Sequence, residues 1–235
     1  MNLNDIHRSV LILCILVFFS PSICNTPAQA EPPAKQVALT FDDGPYGAPT
    51  IEILNILKSE NINATFFVIG ENVKKYPEIA KEIVADGNVI GNHSYDHPRN
   101  IDTFPTKEFN EELSTTEEAI FSATNLRPSL FRAPYGKTNP QMLTELKNDN
   151  YTLVKWNVDS EDWNYSKSPT DVVEKNVLGQ VKPNMIILFH DGRDTHINYP
   201  RDNTIKALPN IIDTLKQQGY SFMTVDKLLG ISAYK

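Results

Sequence analysis

Cysteine is nearly missing from this chain. The only two, Cys14 and Cys24, fall within the first 30 of 235 residues. A disulfide framework for the remaining chain is thereby excluded, even in an oxidising compartment that would permit one. Long hydrophobic runs are equally scarce. The one candidate, Val10 to Ser20 (VLILCILVFFS), is shorter than the about 20 apolar residues needed to cross a bilayer comfortably. Positive charge is in deficit, with a formal net charge of −7, which argues against nucleic acid or an anionic membrane surface as a partner and leaves neutral substrates such as glycans open. Internal repeats and low-complexity tracts are lacking, and no appended carbohydrate-binding module is visible.

The apolar run follows His7 and Arg8 and precedes Ala28-Gln29-Ala30, a small-x-small pattern. Residues 1–30 therefore read as a secretory signal peptide, with an uncleaved membrane anchor as the alternative. Cys24 invites a lipoprotein reading, but Ile23 before it is a poor match to the small residue expected there. Residues 31–34 read as a short Pro-containing linker and 35–235 as one catalytic domain, with roughly 200 residues available to bury a substantial core. The expected location is secreted, in a bacterial cell envelope.

Strand-like runs then alternate with helical stretches. The candidate strands are Gln36–Phe41, Thr65–Ile69, Asn88–Gly91, Ser129–Arg132, Thr152–Val158, Met185–Phe189 and Ser221–Val225. The candidate helices are Thr50–Glu60, Pro77–Ala85, Lys107–Ala123, Pro140–Lys147, Pro169–Gln180, Asn203–Gln218 and a final turn near Asp226. Ser168-Pro169 reads as a helix start, with a capping hydroxyl and proline at the first helical position. Gly219 reads as a C-terminal cap. Alternation of this kind implies a parallel sheet with crossover helices. About seven units suggest an α/β barrel, with an open doubly wound sheet as the alternative.

The polar residues fall at the C-terminal ends of these strands, which in a β/α barrel share one face. Asp42 and Asp43 follow the first strand in Thr40-Phe41-Asp42-Asp43-Gly44-Pro45. Adjacent acids repel each other, and a metal ion gives a reason to keep both: one carboxylate binds it while the other stays free as a base. His93 and His97, in His93-Ser94-Tyr95-Asp96-His97, add two imidazoles. Asp43, His93 and His97 make a three-ligand set with room for water, the open pattern of a catalytic metal site. The bland readings are a solvated Asp-Gly-Pro turn and a coincidental histidine pair, but three of only five histidines lie at strand ends. Mixed nitrogen and oxygen ligation fits zinc and leaves cobalt, manganese or iron open.

Arg132-Ala133-Pro134-Tyr135-Gly136 ends the fourth strand. Arg132 at a barrel mouth calls for an anion such as Asp42, and the Tyr135 N–H could point at a developing oxyanion. An ordinary Pro-Tyr-Gly turn is the alternative. Asp159-Ser160-Glu161-Asp162-Trp163 crowds acids beside an indole, or is a solvated loop with a core Trp. His190, in Leu188-Phe189-His190-Asp191-Gly192, is structural by default and a candidate general acid if an acid lies beside it. Asn92-His93-Ser94 matches a glycosylation sequon, but a glycan there would obstruct the metal.

Taken together and in order, these five segments resemble the NodB-type polysaccharide deacetylases, the fourth carbohydrate esterase family, over roughly residues 35 to 230. The resemblance implies a distorted (β/α)7 barrel and metal-assisted hydrolysis of the N-acetyl group of N-acetylglucosamine residues in peptidoglycan or chito-oligosaccharides. It also implies roles. Asp42 would be the general base, oriented by Arg132; Asp43, His93 and His97 would hold the metal. Tyr135 would donate its backbone N–H to the oxyanion. Asp162 would tune His190, the general acid, and Trp163 and Leu188 would line the pocket for the acetyl methyl. An N-acetylated glycan is the only partner implied. An acetyl-xylan (O-acetyl) esterase and a non-catalytic glycan-binding barrel are the competing functions.

Overall fold

A computed structural model describes residues 35–193 and 200–235. The leader read at residues 1–30, the linker at 31–34 and His196, read as part of a solvated loop, lie outside the described residues. Among those described, no helix is long and apolar enough to cross a membrane.

Eight strands form one sheet: β1 Gln36–Asp42, β2 Thr65–Val68, β3 Val89–Asn92, β4 Leu130–Phe131, β5 Thr152–Leu153, β6 Val158–Asp159, β7 Met185–His190 and β8 Ser221–Phe222. Seven of them run in the order β5-β4-β3-β2-β1-β7-β6, and β8 pairs beside this path with the start of β1. Every pairing between these strands is parallel, and the sheet curls into the distorted (β/α)7 barrel. The helices are α1 Gly47–Ser59, α2 Gly70–Lys75, α3 Pro77–Ala85, α4 Thr106–Thr124, α5 Pro140–Asn148, α6 Thr170–Leu178, α7 Asp202–Gln217 and α8 Val225–Leu229.

Alternation along the strands sorts the side chains into two environments. On β1, Val37, Leu39 and Phe41 join the larger core under the helices, as do Met185, Ile187 and Phe189 on β7. The intervening residues face inward, and Ala38, Phe67, Leu130 and Ile186 form a second, smaller cluster with Val154. Both faces of β1 are therefore covered, which is why its sequence reads as almost continuously apolar. The helices present matching stripes: Ile53, Leu54 and Leu57 on α1, and Ala207, Leu208, Ile211, Ile212 and Leu215 on α7, are buried at three- and four-residue spacing.

Four expectations need correction. The run Thr152–Val158 is not one strand. Val154 N–H bonds to the Phe131 carbonyl beside β4, whereas Asn157 N–H bonds to the Ile186 carbonyl beside β7. The chain thus crosses from one edge of the sheet to the other, and Val154 and Trp156 fill the interior on the way. The strand expected over Ser221–Val225 stops at Phe222, because Thr224 already precedes α8. Helix α6 begins one residue later than expected: Pro169 is its N-cap, with no side-chain cap, and Ser168 is buried with its carbonyl accepting from Asn203 Nδ2. Helix α2 was not expected, since six residues carry little periodic signal. Gly219 does close α7, with φ of 83°.

Candidate active site

Asp42 is the last residue of β1 and His190 the last of β7, and the two are register partners. Inward alternation, which buries Ala38 and Ile186 in the barrel, puts both at its C-terminal mouth. Leu188, two residues before His190, shares that face. Beyond the strand ends the chain turns sharply. Asp43, Ser94, His97, Tyr135 and Glu161 all have positive φ, between 56° and 72°. The other non-glycine residues in this region of φ, among those described, are all asparagines, the type that tolerates it best. Strained backbone at non-Asn positions is thus concentrated at the mouth, as at functional sites generally. The turns are held by specific bonds: Ser94 N–H donates to Asn92 Oδ1 at 2.9 Å, and His97 N–H to Ser94 Oγ at 3.2 Å. Gly44 and Gly192 pass so close to the Asp191 carboxylate and the Asp43 backbone that a Cβ on either would overlap them.

Asp43, His93 and His97 are buried, and one ligating atom from each lies within 4.8 Å of the others. His93 Nε2 and His97 Nε2 stand 3.5 and 3.4 Å from Asp43 Oδ1. That oxygen is buried and accepts no hydrogen bond, an unusual state for a carboxylate unless a cation completes it. His93 Nδ1 lies 2.7 Å from the Arg132 carbonyl. It must donate there, which fixes the tautomer that turns a bare Nε2 inward, as a metal ligand requires. The donor set therefore fits a divalent metal. Burial alone would push the Asp43 carboxyl up, but His97, His93 and His190 outweigh it and hold it well below the usual carboxylate range.

Arg132 is wholly buried. Its Nη1 donates to Asp42 Oδ1 at 2.8 Å and to Thr40 Oγ1 at 2.7 Å, and its guanidinium carbon lies 4.1 Å from the centroid of the Phe67 ring. Burial pulls this guanidinium's pKa down, against the opposing pull of Asp42. Across the mouth, His190 Nδ1 meets Asp162 Oδ1 at 2.7 Å, and the same carboxylate accepts from His190 N–H at 2.9 Å and Thr204 Oγ1 at 2.7 Å. Burial favours neutral His190, but Asp162 overrides it and raises the imidazole to about 9. Burial likewise opposes the charge on Asp162, and His190 outweighs it to hold the carboxyl low.

A cavity of about 440 Å³ joins these groups. Its lining includes Asp42, Asp43, His93, His97, Tyr135, Trp163, Leu188 and His190. Arg132 and Asp162 stand behind Asp42 and His190 rather than in the wall. The sequence reading passed over Arg201, Arg99 and Trp156, which also line the cavity. Arg201 is buried, with Nη2 3.6 Å from Asp43 Oδ2 and Nε donating to the Gly192 carbonyl at 2.6 Å. It sits outside every motif and no strand end points to it. Asp191 faces away from His190, accepts from Thr50 Oγ1 at 2.6 Å, and is pushed up by burial to about 7.

This barrel with an Asp-His-His cluster at its mouth defines a class. Residues 29–154 match the family model described as polysaccharide deacetylase, and the chain belongs to that family. It is 38% identical over 197 residues to a peptidoglycan-N-acetylglucosamine deacetylase of Bacillus cereus, covering 84% of this chain and 69% of that protein. It is 37% identical over 196 residues to the peptidoglycan-N-acetylglucosamine deacetylase PgdA of Listeria monocytogenes, covering 83% of this chain but only 39% of that longer protein. Among solved structures, the Bc1960 peptidoglycan N-acetylglucosamine deacetylase in complex with a naphthalenyl N-hydroxybenzamide superposes with a TM-score of 0.79 at 37% identity, over 87% of this chain and 92% of that one.

Proposed function

We propose that this protein is an exported, metal-dependent deacetylase that hydrolyses the N-acetyl group of N-acetylglucosamine residues in peptidoglycan or chito-oligosaccharides and releases acetate. The observation that carries the reading is the pairing of Asp42 and His190 across β1 and β7 beside the Asp43-His93-His97 cluster. One carboxylate and one imidazole, each backed by its own buried partner, frame a single cavity.

Asp43, His93 and His97 would hold the cation, with zinc favoured by the mixed ligand set and cobalt, manganese or iron as alternatives. When bound, the cation supplies Lewis acidity, polarising the acetamide carbonyl and acidifying water. Asp42 takes the proton from the attacking water, its carboxylate aimed by Arg132. The Tyr135 backbone N–H faces the oxygen on which charge develops. His190 keeps Nδ1–H on Asp162 and so presents Nε2 to the leaving nitrogen; protonated, it delivers the proton without which the tetrahedral species would expel hydroxide. Leu188 and Trp163 enclose the acetyl methyl. No covalent acyl-enzyme is needed. Export is supported by the apolar run and small-x-small pattern of residues 1–30, and a peptidoglycan target by the named activities of the relatives.

Acetate release from peptidoglycan and from chito-oligosaccharides, with chelator and then with zinc or cobalt restored, tests the reading. Release that stops on chelation and returns with metal is expected. Silence on both glycans with metal bound would overturn it.

A further inference from the structure

We propose that the loops following β3 and β4 form a carboxylate subsite beside the acetamide pocket, carried by Arg99 and Lys137, which selects glycans bearing an anionic sugar next to the N-acetylglucosamine unit. The proposal rests on the deacetylase reading and deepens it.

Sheet order sets up the argument. In the path β5-β4-β3-β2-β1-β7-β6, β3 and β4 lie on one flank of β1 and β6 on the other. The cavity therefore has two unlike lips. The β6 side carries Asp159, Glu161 and Trp163. The β3 and β4 side carries Arg99, Tyr135 and Lys137, all three exposed. Tyr135 is the hub of this second lip. Its ring lies 4.7 Å from the His97 ring, 5.9 Å from the Arg99 guanidinium carbon and 5.8 Å from Lys137 Nζ. Lys137 Nζ also donates to the Arg99 carbonyl at 2.6 Å, tying the two loops together. The cations are thus held one aromatic ring away from a candidate metal ligand.

Neither cation forms an ion pair with a carboxylate among the described residues. In a chain of net charge −7, two cations with no carboxylate partner among the described residues stand together on this lip, Arg99 in the cavity wall and Lys137 bonded to the Arg99 carbonyl behind it. Arg99 offers a planar fork matched to a carboxylate, and Lys137 a mobile point charge. The acidic residues of the opposite lip would repel the same carboxylate, so one binding direction is favoured and the other opposed. Neutral chito-oligosaccharides carry no such group. Peptidoglycan strands carry one of two kinds beside each N-acetylglucosamine: the free lactyl carboxylate of muramic acid where the stem peptide has been removed, or the carboxylates of the stem where its amide to that lactyl group is intact.

Steady-state kinetics should compare neutral N-acetylglucosamine oligomers with length-matched strands that are either stripped to the free lactyl group or still carry stems. Wild-type protein is expected to show the lower KM on anionic strands, a preference that about 0.5 M salt erodes. Arg99→Gln with Lys137→Gln should raise the ratio of anionic to neutral KM by about fivefold, in keeping with two exposed charge contacts, and Arg99→Glu with Lys137→Glu should raise it further. A shift confined to stripped strands identifies the lactyl group; one confined to stem-bearing strands identifies the stem. An unchanged ratio in both double variants would overturn the subsite. Strand affinity measured on Asp42→Asn protein, with and without the double substitutions, reads the same ratio without turnover. Failure of the deacetylase reading therefore appears as absent acetate, and failure of the subsite as an unmoved ratio.

Discussion

Arg132 Nη1 meets Asp42 Oδ1 at 2.8 Å, with Arg132 wholly buried behind the cavity and Asp42 almost buried in its wall. Removing one partner of such a pair leaves the other charge buried and uncompensated, which typically costs about 3–5 kcal/mol. Arg132→Met fills the space beside Phe67 and supplies no donor to Asp42 or Thr40. It should lower stability by that amount in urea unfolding and also reduce kcat. A variant within 1 kcal/mol of wild type, in a measurement good to about that precision, would mean that Asp42 finds another partner and that Arg132 does not orient it.

The His190–Asp162 pair gives a pH dependence of definite sign. Folding raises the His190 pKa from about 6.5 to about 9. Its contribution to stability is therefore complete below about 6.5 and is lost as pH rises through about 9. In the proposed mechanism, proton donation to the leaving nitrogen follows the same titration, so kcat should fall on the alkaline side. Asp162→Asn removes the main group that raises the imidazole while burial still opposes its charge. The alkaline limb should then move toward acid from its wild-type position. An identical limb in wild type and Asp162→Asn would assign the titration to another group.

Asp42 and Asp43 are adjacent in sequence but differ in their partners. Asp42 Oδ1 is bound by Arg132 and its Oδ2 lies 3.7 Å from His93 Nε2, whereas Asp43 Oδ1 lies between both imidazoles, 3.5 Å from His93 Nε2 and 3.4 Å from His97 Nε2. Asp42→Asn should retain metal and lose about 10²–10⁴-fold in kcat, the usual worth of a general base. His93→Ala should lose metal as well as turnover. Metal content of the purified variants by mass spectrometry, read beside acetate release, separates the two roles. Metal lost equally from both proteins would place Asp42 among the ligands.

Much of this arrangement was legible because strand periodicity and chemistry agree. Asp42, Leu188 and His190 fall on the inward phase of β1 and β7, and the apolar residues between them mark the outward phase. Other features carried no such signal. Val154-Lys155-Trp156-Asn157 reads as the middle of one strand, yet it bridges two sheet edges through bonds to Phe131 and Ile186 that are distant in sequence. Arg201 reaches Asp43 from outside any strand end, and its burial depends on the tertiary fold alone. Asp191 adjoins His190 in sequence but turns to Thr50, so proximity along the chain does not identify the acid that partners His190; only the motif resemblance pointed to Asp162.

Binding of the cation should itself stabilise the fold. The cluster gathers buried Asp42, Asp43, His93 and His97, and Asp43 Oδ1 is left without a hydrogen bond. A ligand that binds only the native state adds about 2.7 kcal/mol at a hundred times its Kd. For a domain of this size each kcal/mol moves Tm by about 2–4 °C. Zinc added to chelator-treated protein should therefore raise Tm by about 5–10 °C, from the same two relations. Asp43→Ala should abolish the shift because it removes the oxygen that both imidazoles face. Asp42→Asn should preserve it, since that side chain is engaged by Arg132. The reverse pattern, with the shift lost in Asp42→Asn and kept in Asp43→Ala, would exchange the two carboxylates between base and ligand.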